Sequence, residues 1–96
     1  MGSELRLRKA LMQADRGDVA AAVVTTRSVA AESGPSPLQA RALVVLGDLL
    51  VSQGDPDAAR SALTEALAVI AGLDEDADDL LAFEAERARE LLGALG

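Results

Sequence analysis

A chain of 96 residues with a formal charge of −7, half of it apolar but with a single aromatic and neither Cys nor His, is one domain with a narrow chemical repertoire. Without Cys or His there is no disulfide, thiolate nucleophile, imidazole base or usual zinc site, so the chain is read as non-enzymatic, with no metal or cofactor expected. The acidic balance and the lack of Tyr and Trp argue against nucleic acid and anionic membranes, and no apolar run approaches the ~20 residues of a membrane span, so a cytoplasmic protein is expected.

Pro and Gly punctuate the chain at Gly17-Asp18, Gly34 to Pro37, Gly54-Asp55-Pro56 and Gly72, leaving segments rich in the strong helix formers Ala, Leu, Arg and Glu. The first segment, Glu4 to Arg16, sets Leu7, Leu11 and Ala14 at helical spacing. Asp18 then predicts an N-cap for a second helix reaching Glu32. Val19, Val23, Thr25, Thr26 and Val29 are β-branched and make a strand a rival, but alanines surround them and no second strand exists to pair with. Ser36, Pro37 and Gln39 predict a capping box and a third helix, whose apolar face carries Leu38, Ala42, Leu43, Leu46, Leu49 and Leu50 and which stops at Gly54. Asp55-Pro56-Asp57 restarts the chain as a fourth helix with Ala59, Leu63, Ala66, Leu67 and Ile70 inward. An acidic cluster opens a fifth, with Leu80, Leu81, Ala85, Ala88, Leu91, Leu92 and Leu95 on one stripe. The expectation is an all-α single domain over 1–96: a hairpin over 4–33, a second over 37–71 and a capping helix over 75–95.

Residues 40–73 carry bulky and absent side chains in alternation. Gly47 sits among Leu43, Leu46 and Leu50, and the facing helix runs small, large, small at Ala59, Leu63 and Ala66. Two such faces close knob against gap. The pattern resembles the tetratricopeptide repeat (TPR), a helical hairpin of about 34 residues. Counted from Ala40, the family's small position falls on Gly47, its turn glycine on Gly54, and its second-helix series on Ala59, Leu63 and Ala66. The aromatic positions hold Leu43 and Leu50, and the terminal proline position holds Ala71. Aligning Gly17-Asp18 with Gly54-Asp55 sets Ala10, Ala22, Thr26 and Val29 opposite Gly47, Ala59, Leu63 and Ala66, a weaker match. The resemblance implies antiparallel hairpins stacked as a short right-handed solenoid of about five helices, the last a solvating cap or half of a further repeat.

It also implies where a partner docks. The groove-lining positions of the family fall here on Arg41, Val44, Val45, Asp48, Val51 and Ser52, and in the first hairpin on Glu4, Leu7, Arg8, Leu11, Ala14 and Asp15. A partly apolar groove is expected, with Arg8 and Arg41 for a carboxylate, unless the fifth helix or a second copy covers the valines. Leu11 and Asp48 stand where the family's chaperone-tail binders hold Asn, so that ligand class is not expected. The acidic run from Asp74 to Asp79 lacks the glycine and spaced glutamate of a calcium loop, and Glu84 and Glu86 lie two apart on a helix and do not face each other. The expected role is a non-catalytic module, or scaffold, binding a peptide or helix of a partner protein. The rival is a homodimerisation or docking segment of a larger bacterial regulator or multi-enzyme assembly. The rival is supported by the low repeat count and by charge: residues 1–16 hold Arg6, Arg8, Lys9 and Arg16 against Glu4 and Asp15, whereas residues 71–96 hold eight acids against Arg87 and Arg89, an asymmetry that suits head-to-tail or antiparallel association but that solvated helix faces explain more simply.

Overall fold

The computed structural model describes residues 2–96, apart from the side chains of Glu75, Ala77 and Asp78. It is all-α: α1 (Gly2–Asp15), α2 (Val19–Glu32), α3 (Pro37–Ser52), α4 (Pro56–Gly72), the short α5 (Glu75–Leu80) and α6 (Ala82–Leu95). Consecutive long helices pack antiparallel, α1 on α2, α2 on α3 and α3 on α4. Helix α6 then lies against α4 and the side of α3, while α1 touches α3 only lightly.

The caps fall where the sequence puts them. The Asp18, Ser36 and Asp55 side chains accept from the backbone N–H of Ala21, Gln39 and Ala58 at 3.3, 3.1 and 3.3 Å, each satisfying a donor that the first helical turn leaves unpaired. The two hairpin turns are built alike. Gly17 and Gly54 take φ of +86° and +77°, and the following Asp18 and Asp55 N–H groups donate back to Gln13 and Leu50 carbonyls at 2.9 and 3.0 Å. The β-branched run of α2 is helical because Val23, Thr26 and Val29 are buried, and tertiary packing outweighs their modest helix propensity.

Two local expectations are corrected. Gln39 does not close a capping box onto Ser36; its amide donates instead to the carbonyls of Ala30 and Ser33, at 3.0 and 2.7 Å, and ties the C-terminal end of α2 to the start of α3. The capping helix expected over 75–95 is broken at Leu81, which has φ −105° and ψ 16° and no side-chain cap. Leu81 is fully buried in a small cluster with Ala40, Ile70 and Ala85, whereas Leu80, assigned to the same stripe, is 59 % exposed. Seating Leu81 there turns the chain and sets the direction of α6.

The core interleaves alanines with leucines and valines. Ala10, Ala22, Thr26, Val29, Ala59, Leu63 and Ala66 all have no exposed surface, and Gly47 is buried against Leu63. These are the eight positions paired by the hairpin alignment, so the two hairpins bury equivalent residues despite their different side chains.

Candidate functional site

The face of α3 expected to line a groove is held largely by α6. Arg87 of α6 donates to Asp48 at 3.2 Å and to Glu90 at 2.6 Å, and these hydrogen bonds, Asp48's first, raise the already high pKa of its guanidinium. Nearer the start of both helices, Arg41 Nε lies 3.6 Å from Glu84, an ion pair rather than a hydrogen bond. Val44, expected in the groove, is buried in the core at 7 % exposure and offers nothing to a ligand. Val45 and Val51 are half-buried and pack on the same core. Ser52 is exposed, and its hydroxyl donates to the Asp48 carbonyl at 3.3 Å.

Arg8, Leu11 and Arg41 do come together. With Glu4, Leu7 and Leu38 they line a cleft of about 200 Å³ between α1 and α3. Helix α1 places Glu4, Leu7, Arg8 and Leu11 at spacings of three and four, so one face of the helix supplies one wall. Pro37 opens α3 and sets Leu38 and Arg41 on the other wall. Leu7 is buried beneath the cleft and Leu11 is 45 % exposed at its rim. Arg8 is exposed and has no hydrogen-bond or ion-pair partner among the described residues. The cleft is thus apolar in its floor and cationic on two sides, with Glu4 as its one acid. Its volume admits a side chain or two, not a folded element.

A second opening lies on the opposite side of α3, between α2 and α4. It measures about 430 Å³, with Leu43, Leu46 and Leu50 as its floor and Arg27 and Glu65 on its banks. Those leucines read from sequence as core, and they are core. The opening follows from the separation of α2 and α4, which no local sequence signal encodes.

Among the described residues no three His, Cys, Asp or Glu side chains form a cluster able to hold a metal ion, and no helix is long and apolar enough to cross a membrane. Of the acidic run, the Glu75 and Asp78 side chains lie outside the described ones. Compared with protein-family models, curated proteins and solved structures, the chain matches none.

Proposed function

We propose that the chain is a non-catalytic protein-interaction module, a short array of TPR-like hairpins that receives an extended peptide in the cleft between α1 and α3. The observation that carries this reading is the unpaired Arg8 beside Arg41 over the Leu7, Leu11 and Leu38 surface, an arrangement suited to an apolar side chain next to a carboxylate. The order of packing supports the repeat reading. The first helix of each hairpin touches the first helix of the next, as α1 with α3 and α3 with α6, while α2 and α4 each bridge to the following hairpin. Helix α6 then takes the part of the first helix of a third unit.

The test is a screen of peptides with free C-termini against the immobilised chain, repeated with Arg8→Glu and Leu11→Ser. Enrichment of sequences ending in an apolar residue, weakened at least about tenfold by either substitution, supports the reading. Enrichment that both variants retain puts the binding surface elsewhere.

A further inference from the structure

The two helices that end the stack leave contrasting faces without a neighbour. Helix α1 buries Leu7 and Ala10 against the array and turns Leu5, Lys9 and Met12 the other way, at intervals of four and three that form a single stripe, with Arg16 just past its C-terminal end. Leu5 and Met12 are 57 % and 50 % exposed, and the two residues between and beyond them are cations. Helix α6 buries Ala85, Ala88 and Leu91 and turns Phe83, Glu86, Glu90 and Ala94 outward, again as one stripe. Phe83, the sole aromatic of the chain, is 75 % exposed. It borders a concavity of about 370 Å³ lined also by Glu86, Arg87 and Glu90.

We infer that a second copy of this chain occupies each of these faces, α1 of one copy docking on α6 of the next, head to tail. The charges select this pairing over the alternatives. Pairing α1 with α1 sets Lys9 and Arg16 against themselves, and α6 with α6 sets Glu86 against itself; pairing α1 with α6 opposes cations to acids and lays Leu5 and Met12 against Phe83. Flanking groups modify the field without reversing it. Glu4 and Asp15 lie beside the α1 stripe, and Arg89 beside that of α6, while Arg87 is spent on Asp48 and Glu90 within its own copy. The contact is heterologous, so each added copy presents a fresh end, and growth continues unless the geometry closes a ring. The inference goes beyond peptide capture: the stripe is centred on Leu5, Lys9 and Met12, beside the Arg8 edge of the cleft and away from its Leu7 floor.

Solution mass by size-exclusion with light scattering, detected by refractive index, tests it on the unaltered chain first. Mass is expected to rise past that of a dimer with concentration in about 50 mM salt and to fall back in about 500 mM, where exposed charges are screened. Two variants then separate head-to-tail from symmetric pairing. Leu5→Glu/Met12→Glu spoils the α1 face, Phe83→Ser spoils that of α6, and all three positions are exposed, so the helical circular dichroism should match the parent. Each variant alone is expected to be a monomer, and their equimolar mixture a dimer that does not grow, because it holds one intact face of each kind. A parent that is monomeric at every concentration overturns the inference. So does a variant that still dimerises alone, or a mixture that stays monomeric. Peptide capture by the Phe83→Ser variant, whose α1 is unaltered, distinguishes failure here from failure of the cleft.

Discussion

Adding one methyl group at Gly47 is expected to destabilise the protein, although the same change in another helix should stabilise it. Alanine exceeds glycine in a helix interior by about 1 kcal/mol, and this gain applies at both Gly47 and Gly93. At Gly93 of α6 a Cβ would meet nothing within 4 Å, so Gly93→Ala should add about 0.5–1 kcal/mol. At Gly47 the Cβ would lie 2.5 Å from Leu63 Cγ and 3.3 Å from its Cδ1, with Cδ2 nearer still. Ordinary carbon contacts fall at about 3.5–4.0 Å, so Leu63 Cγ must retreat by about 1 Å or more. Rotation of the leucine's outer bond cannot move Cγ. Clearing it requires a different first rotamer, which a helix restricts, or separation of α3 from α4. Leu63 has no exposed surface into which to move. Overpacking of this kind costs about 1–3 kcal/mol beyond any propensity gain.

Urea unfolding followed by far-ultraviolet circular dichroism suits a chain without Trp or Tyr and reads these changes as shifts in midpoint at constant slope. Gly47→Ala should lower the midpoint and Gly93→Ala raise it. Leu63→Ala alone should cost about 2–5 kcal/mol by leaving a cavity. Adding Gly47→Ala to Leu63→Ala should then cost less than Gly47→Ala costs in the parent, a coupling of about 1–3 kcal/mol. A Gly47→Ala protein as stable as Gly93→Ala, or costs that simply add, would refute the knob-and-gap account of the α3–α4 contact.

Thr26 is fully buried and its hydroxyl has no hydrogen-bond partner among the described residues, so Thr26→Val, which keeps the shape, should raise stability by about 1 kcal/mol, and a lower urea midpoint would show that the hydroxyl is hydrogen-bonded. Gln39→Ala should cost about 1–2 kcal/mol by stranding the Ala30 and Ser33 carbonyls, and Gln39→Glu should not rescue it, because a carboxylate cannot donate to them; full stability of the glutamate variant would show that the amide is not the clasp. Glu32 accepts a hydrogen bond from Ser28 and pairs with Arg6 at 2.7 Å; the Ser28 bond first and Arg6 second hold its pKa below the ordinary 4.5. Because the folded value is the lower one, its contribution is complete above the unfolded pKa and disappears as pH falls through the folded pKa. The urea midpoint should therefore drop more between about pH 6 and pH 3 in the parent than in Glu32→Gln, and equal drops would remove Glu32 from the acid response.

Helices α1 to α4 were legible because their ends are written in residues with a mechanical role: Asp18, Ser36 and Asp55 as acceptors, Pro37 and Pro56 at first positions, Gly17 and Gly54 at positive φ. The break at Leu81 was not. Leu80 and Leu81 fit one helical stripe equally well, and only the hollow between Ala40, Ile70 and Ala85 decides which is buried. The same limit applies to the site. Val44 and Val45 are neighbours of identical chemistry, and the seating of α6 over α3 makes one core and the other half-exposed. The charges of Arg41 and Asp48 were readable, but their partners Glu84 and Arg87 lie some forty residues away and are chosen by that same seating.

Helix α6 therefore sets both how much of α3 is covered and one end of the helical stack. Its ion pairs to α3 are partly exposed, and pairs of that kind contribute at most about 1 kcal/mol each. The hold on α3 and α4 rests instead on Leu81, just before the helix, and on Ala85, Ala88 and Leu91 within it, all four of them buried. Alanines bury little area each, so they hold a helix only at close approach, and close approach leaves no room on α3 for a ligand beneath α6. Along the side where α1, α3 and α6 lie, what stays open is the cleft between α1 and α3, where the contact is light. Leu5, Met12 and Phe83 are left exposed on the two terminal helices, the faces on which the head-to-tail inference rests.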